Sequence, residues 1–303
     1  MKTVEQYKKL LREKGIFCVL KTAFTGALHI VEWNNLKENF REYQAYLYLC
    51  KYYKHITLQH NATQYNHLSN NKTIWTCWLQ GVESAPPIVK KCIESMKIYC
   101  HNHKIVVLTQ QNLNEYIILP DYIREKYEKG QISPAHYSDI IRTVLLIQHG
   151  GIWIDSTVLL TEQIPVEILN ADFFCFRATM TTLSKIKASN WFIASQPNNP
   201  ILCCVRDMLF AYWKINNHAI HYFFFHLIFA IAINKNATCR KVWSKVPIYA
   251  NYKNHLLQVQ LLNPFDSEIF ENICKETPVH KLTYKLPFDD SEKSSFYDFL
   301  IKR

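Results

Sequence analysis

The segment 133–155, SPAHYSDIIRTVLLIQHGGIWID, constrains the fold most, because it specifies a helix, a turn and a buried strand in succession. Its first two residues, a serine and a proline, suit the N-cap and the first position of a helix over 134–149. The two glycines that follow suit the helix end and a close approach before a strand over 152–155. Asp155 then lies at the carboxyl end of that strand, where open α/β sheets bind ligands.

Strands and helices alternate along most of the chain, and this predicts an α/β fold with parallel strand pairs. The predicted elements are helices over 4–14, 34–53, 84–100, 134–149, 199–213 and 219–233, and strands over 72–78, 103–109, 152–155 and 172–176. A polar stretch at 59–71 divides the chain into a helical extension, residues 1–69, and a main domain, residues 70–303. In the extension, Phe40, Tyr43, Leu47 and Cys50 recur at helical spacing.

Charge and cysteine usage narrow the function classes. The net charge of +10 comes from scattered basic residues, which favours general attraction of anions over a dedicated nucleic-acid surface. None of the ten cysteines has zinc-type spacing, so buried free thiols and a reducing cytoplasmic location are expected. The most apolar window, 219–233, is shorter than the roughly 20 residues of a membrane span, so we predict a buried helix, with an interfacial one as the alternative.

Two acids and an arginine form the candidate site. Asp139 and Arg142 are three residues apart and share a helix face, and a helix running back to a strand brings them towards Asp155. Carboxylates accept hydrogen bonds from sugar hydroxyls, and a guanidinium donates to phosphate oxygens. The alternative is an exposed Asp139–Arg142 pair, with Asp155 capping a turn. Spacing alone does not decide between the two.

Residues 133–161 resemble the core motif of sugar transferases of the capsular polysaccharide synthesis protein family, which is related to glycosyltransferase family 32. The shared pattern is Ser-Asp-x-x-Arg on a helix, then Gly-Gly-aromatic, then a strand-end Asp motif. Segments 74–96, 190–202 and 279–285 resemble the same family, so the resemblance covers roughly 70–286. It implies a GT-A-type, Rossmann-like fold that binds a nucleotide sugar. The implied reaction transfers the sugar, with retention, from a UDP-sugar to a hydroxyl of a surface polysaccharide or lipid-linked glycan.

The resemblance also assigns roles to single residues. The donor-binding positions are Trp75, Ser138, Asp139, Arg142, Gly151, Asp155, Thr157, His280 and Lys281. Among them, Asp139, Arg142 and Asp155 are the candidates for catalysis. Trp75 matches an aromatic residue that stacks on the nucleotide base, although a buried strand tryptophan is the alternative, and Trp78 is an equally good core candidate.

Metal dependence is left open by the same motif. Asp155 matches the first acid of the family's Asp-x-Asp motif, but Thr157 stands where the second acid would bind Mn²⁺ or Mg²⁺. His280 is the candidate to complete a metal site with Asp155. If protonated, it would instead neutralise the leaving diphosphate together with Lys281 and Lys285.

The expected partners follow from this interpretation. They are a nucleotide-sugar donor, a glycan or lipid-linked acceptor, and the inner face of a membrane as a peripheral contact, whereas nucleic acid is not expected. The resemblance assigns Asn190 and Trp191 to the acceptor side of the cleft, and the equally weighted alternative is core positions before the helix at 199–213. Two other functions stay open: a nucleotide-diphosphate-sugar hydrolase and a binding scaffold whose activity was weakened with the second acid.

Overall fold

The computed structural model describes residues 36–57, 73–178, 184–287 and 294–302. Its centre is a five-stranded sheet made of β1 (Thr73–Cys77), β2 (Lys104–Leu108), β3 (Gly151–Ile154), β5 (Phe173–Arg177) and β6 (Ala188–Ser195). A two-stranded sheet is formed by β4 (Val158–Leu160) and β7 (Val279–Lys281). The predicted helix over 4–14 lies outside the described residues.

Helices make up most of the remaining described chain. They are α1 (36–57), α2 (Pro87–Tyr99), α3 (Leu113–Tyr116), α4 (Asp121–Glu128), α5 (Pro134–His149), α6 (Val166–Leu169), α7 (Pro200–Ile215), α8 (Phe224–Lys235), α9 (Ala237–Ser244), α10 (Leu256–Gln260), α11 (Ser267–Glu276) and α12 (Phe296–Lys302). Short 3₁₀ helices occur at Val82–Ser84 and Lys253–His255.

The strand order of the central sheet is β2-β1-β3-β6-β5. Strand β1 runs parallel to both β2 and β3, as the alternating pattern predicted. Strand β6 runs antiparallel to its neighbours β3 and β5. The predicted α/β class is therefore confirmed, with a mixed rather than a purely parallel sheet.

Strand β6 was missed by the sequence analysis. Seven of its eight residues are buried and only Asn190 is half-buried. The strand therefore lacks the alternation of apolar and polar residues that is typical of a strand with one solvent-exposed face. Without that alternation, its aromatic and apolar residues looked like core positions before a helix. The predicted helix at 219–233 also begins later, at Phe224, because residues 219–223 form a loop.

Helix α1 packs on the core through a face different from the one its apolar spacing suggested. Leu49 and Tyr53 are buried in the main hydrophobic cluster, whereas Phe40 is 59% and Leu47 is 48% exposed. The buried carboxylate of Glu42 accepts hydrogen bonds from Ser184 Oγ and from the backbone N–H of residue 185, which fixes the helix to the main domain. The domain boundary near residue 69 stays a prediction.

Several cysteines are buried free thiols, as expected. Cys92, Cys100 and Cys175 lie in the core without a disulfide, and burial raises the pKa of the Cys92 thiol to about 12. Helix α8 is buried in the core, which confirms that prediction for the apolar window. Among the described helices, none combines the length and the hydropathy that crossing a membrane requires.

Candidate active site

The junction between α5 and β3 is built as its sequence predicted. Ser133 Oγ caps the first turn by accepting a backbone N–H, and Gly150 ends the helix with φ of 64°. Gly151 has φ of 98°, and a Cβ there would lie 2.5 Å from Thr73 O and 2.8 Å from Trp75 Nε1. Only glycine therefore lets β3 pack this closely on β1. Its contacts identify Gly151 as a packing residue, and its donor-binding role stays a prediction.

The junction brings the two acids and the arginine together. Arg142 donates from Nη1 to Asp139 Oδ1 at 2.7 Å, and from Nη2 to Asp155 Oδ1 at 3.1 Å and Ser138 Oγ at 3.0 Å. The Arg142 side chain is 4% exposed and that of Asp139 is 8% exposed. The alternative of an exposed surface pair is thereby excluded. Because Arg142 is buried, it positions the two carboxylates and offers little surface to a ligand.

Asp155 is held by donors on both carboxylate oxygens. Its Oδ1 also accepts from Trp153 Nε1 at 2.8 Å, which follows from the two-residue strand period that places both side chains on one face. Its Oδ2 accepts from Lys281 Nζ at 3.0 Å, and the same ammonium donates to Thr157 Oγ1. The Asp155 and Lys281 side chains are 23% and 19% exposed, so these two form the accessible part of the cluster.

The two carboxylates differ in acidity although both contact Arg142. Burial raises the pKa of Asp139 to about 6, against the lowering effect of Arg142. Burial acts in the same direction on Asp155, but Lys281 and Arg142 together hold its pKa below the usual value. Lys281, the second cation beside Asp155, accounts for the difference in pKa between the two carboxylates. Asp155 is thus ionised at neutral pH, and Asp139 is the acid that takes up a proton near pH 6.

His280 lies outside this cluster, contrary to the sequence prediction. Strand alternation points its side chain away from the Lys281 side, and its Nε2 lies 3.0 Å from Thr161 Oγ1. The residue is fully buried, and burial lowers its pKa to about 4, so it is neutral at pH 7. It therefore supplies no positive charge to a diphosphate and does not form the predicted metal pair with Asp155.

The donor set of the site does not fit a divalent metal. Asp155 is the one acid accessible in the cluster, and both its oxygens already accept from cationic or indole donors. Across the described ranges, no group of three or more His, Cys, Asp or Glu side chains is arranged to hold a metal ion. Mg²⁺ and Mn²⁺ prefer several oxygen ligands with carboxylates among them. The predicted metal sites at Asp155 and His280 are thus unsupported by the geometry.

Trp75 lies within β1 and in the core, whereas Trp78 lies just after β1 at the edge of the sheet. Trp75 is 5% exposed and its Nε1 donates to Gly150 O at 2.9 Å, so it fastens β1 to the end of α5. This placement does not favour the predicted stacking on a base. Trp78 follows the carboxyl end of β1, is half-buried and packs edge-on against Tyr284 with ring centroids 5.3 Å apart.

Two further residues of the cluster were not predicted for it. Asn190 Nδ2 donates to Asp139 Oδ1 at 2.7 Å, so a residue expected on the acceptor side helps to fix a candidate catalytic acid. Trp153 binds Asp155 and also stacks below the Arg142 guanidinium, 5.0 Å from the ring centroid. The sequence contained a signal for Trp153. In Gly-Gly-Ile-Trp-Ile-Asp, positions 153 and 155 are two residues apart and therefore share a strand face.

Comparison with known proteins bears on the whole arrangement. A family model described as "Capsular polysaccharide synthesis protein" matches residues 27–300. The chain belongs to this capsular polysaccharide synthesis family. The resemblance inferred from the helix and strand-end Asp motif is confirmed, and the match extends through α1. A search of curated proteins finds no match.

Among solved structures, one described as "PaToxG Glycosyltransferase" is similar to this chain. The similarity has 13% sequence identity and a TM-score of 0.39, and it covers 80% of this chain and 95% of that chain.

Proposed function

We propose that this protein is a GT-A-type glycosyltransferase that moves a sugar from a nucleotide-sugar donor, a UDP-sugar, to a glycan hydroxyl with retention. The observation that carries the proposal is the cluster of Asp139, Arg142, Asp155 and Lys281 beyond the carboxyl end of β3. It pairs carboxylates for sugar hydroxyls with a cation for a diphosphate, at the sheet edge where α/β folds bind ligands. Membership of a capsular polysaccharide synthesis family supports the same reaction class.

The accessible residues divide the proposed work. The Oδ2 of Asp155 carries the Lys281 hydrogen bond and has a second lone pair that accepts from a donor hydroxyl. The ammonium of Lys281 stabilises charge that develops on the departing diphosphate. The bond from the anomeric carbon to the phosphate oxygen breaks, and a bond from that carbon to the acceptor oxygen forms on the same face. The acceptor proton passes to the leaving phosphate. Arg142 and Asn190 hold the acids in place for this step.

Trp78 is the aromatic residue best placed for the donor base in this proposal. It lies at the same carboxyl edge of the sheet as Asp155, and it is partly accessible beside Tyr284. Its Nε1 is buried without a hydrogen-bond partner in the described chain. A planar base stacked there would gain apolar contact on the indole face, which the buried Trp75 does not offer.

A cavity of about 800 Å³ between α1 and the loop before α8 suits the acceptor. Tyr48, Tyr222 and Phe223 line it together with the Glu38–Arg41 ion pair. Aromatic faces beside charged planar groups are suited to pyranose rings, which present C–H faces and equatorial hydroxyls. The loop is anchored to the active-site helix, because the Tyr222 carbonyl accepts a hydrogen bond from Nε2 of His136 at the start of α5.

Contact with the cytoplasmic face of a membrane is the proposed setting for a lipid-linked acceptor. Leu36, Phe40 and Leu47 lie on one face of α1, together with Tyr43, and each is 41–59% exposed. Lys51 and Lys54 continue that face by one and two turns and are exposed. An apolar stripe that ends in two lysines complements an anionic lipid surface, as does the net charge of +10.

The test is turnover of UDP-sugars by the purified protein and by Asp155→Ala, with the acceptor product detected by mass spectrometry. Wild type should yield glycosylated acceptor, and the variant should stay folded with turnover lost. Release of free sugar alone would support the hydrolase instead. Absence of nucleotide-sugar binding in calorimetry would support a scaffold. Full activity of Asp155→Ala would show that the site is assigned wrongly.

A further inference from the structure

The position of Lys281 carries a consequence for the cofactor. We infer that the Lys281 ammonium takes the place of a divalent cation, so that the protein binds a nucleoside diphosphate without metal. The inference rests on the proposed function and concerns the same site. Its basis is that one Nζ donates both to Asp155 Oδ2, at 3.0 Å, and to Thr157 Oγ1.

The two side chains that hold the ammonium, Asp155 and Thr157, occupy the two acid positions of the Asp-x-Asp pattern. In this chain Thr157 replaces the second acid, and the hydroxyl serves as acceptor for a lysine. An ammonium has three N–H donors and no acceptor. Two of the three are used by Asp155 and Thr157, which leaves one donor for a phosphate oxygen. Lys281 is 19% exposed, so that donor is within reach of a ligand.

Local charge argues against a metal at the same place. The cluster contains two carboxylates, Asp139 and Asp155, and two cations, Arg142 and Lys281, so its formal charge is zero when all four are ionised. A divalent cation would have to displace the ammonium and would then find one carboxylate and one neutral hydroxyl. Such a set binds Mg²⁺ or Mn²⁺ weakly compared with two carboxylates.

The backbone fixes the lysine in this position. Strands β4 and β7 pair with Val158 opposite Lys281, and the Leu282 N–H donates to the Thr157 carbonyl at 2.8 Å. Thr157 and Lys281 are therefore neighbours by sheet register, and not through a flexible surface contact. The ammonium needs little reordering when a diphosphate arrives, which is the property of a preorganised site.

The experiment measures binding of UDP by calorimetry, with EDTA and with about 1 mM Mn²⁺, and follows Mn²⁺ itself by electron paramagnetic resonance. Four proteins are compared: wild type, Lys281→Met, Lys281→Met with Thr157→Asp, and the control Lys275→Met. Lys275 is an exposed lysine in the last turn of α11. Thermal unfolding of each protein monitors the fold.

The inference predicts that wild type binds UDP equally in EDTA and in Mn²⁺ and takes up no Mn²⁺. Lys281→Met should bind UDP about tenfold more weakly, without rescue by Mn²⁺, because a charge-assisted donor is lost. The double variant should bind Mn²⁺ and regain UDP affinity only in its presence. Lys275→Met should behave as wild type.

Several results would overturn the inference. They are UDP binding by wild type that EDTA abolishes, Mn²⁺ uptake by wild type, or unchanged affinity in Lys281→Met. The EDTA comparison needs no substitution, so it decides the question even if a variant fails to fold. Failure of wild type to bind UDP under either condition would instead refute the proposed function, and this inference with it.

Discussion

Replacement of Asp139 by asparagine tests the physical account of the cluster most directly. Asp139 is buried, and its Oδ1 accepts from Arg142 Nη1 and Asn190 Nδ2, both at 2.7 Å. An asparagine carbonyl can accept the same two hydrogen bonds. The substitution therefore removes the charge and one oxygen while it keeps the packing. We expect a folded protein that has lost its activity.

The effect on stability should depend on pH. Burial raises the pKa of Asp139 from the usual 3.8 to about 6, so the native state holds the proton to higher pH than the unfolded chain. Its contribution favours the folded state at low pH and is lost as the pH rises through about 6. The difference corresponds to about 3 kcal/mol. The asparagine side chain is not ionisable, so Asp139→Asn should gain about that much stability relative to wild type as the pH rises from about 4 to about 7.

Urea unfolding at several pH values, with transferase turnover alongside, measures both effects. Asp121→Asn, which removes a carboxylate that is 81% exposed, is the matched control and should not reproduce the pH-dependent gain. We expect kcat/KM of Asp139→Asn to fall by about 100-fold or more. A stability difference that is flat across this pH range would refute the burial argument. Turnover close to wild type would refute the role of the charge.

Three further predictions concern the surfaces around the cluster. Trp78→Ala should weaken UDP binding by about tenfold in calorimetry, because a stacking face is lost, and unchanged affinity would exclude it from the base site. Tyr222→Ala should raise the acceptor KM by about tenfold while UDP affinity stays the same, and Tyr252→Ala, also exposed but outside the cavity, should not. Phe40→Ser should reduce flotation with vesicles that contain phosphatidylglycerol, whereas Ile248→Ser, an 83% exposed control, should not; equal flotation would refute the α1 stripe as a membrane contact.

The parts of the fold that the sequence predicted are those whose signals are local. The cap at Ser133, the glycines at 150 and 151 and the apolar periodicity of α2 and α5 are each readable within one turn or strand. Strand β6 lacked such a signal because it is buried on both faces. Helix α1 carried two apolar faces, and local spacing does not show which one meets the core.

The candidate site likewise contains residues whose convergence is signalled locally in the sequence and residues whose position is not. Asp139 and Arg142 are one helical turn apart, and a short turn links their helix to the strand of Asp155, so their convergence was predictable. Two other members of the cluster come from distant parts of the sequence. Lys281 is 126 residues from Asp155, and Asn190 is 51 residues from Asp139, the acids that they contact. No spacing rule relates such positions. The resemblance had assigned both Lys281 and its neighbour His280 to the donor site, and only the sheet register shows that Lys281 is the one that contacts Asp155.

The replacement at Thr157 is best understood together with Lys281. A second carboxylate at position 157 beside Asp155 would give the cluster an additional negative charge, which a divalent cation could balance. A threonine removes that charge, and the lysine then balances Asp155 alone, while Arg142 balances Asp139. In the proposed function, loss of the second acid does not by itself imply loss of activity, because Lys281 offers a cation to the diphosphate. A protein that binds no nucleotide sugar despite this cation would instead be a scaffold.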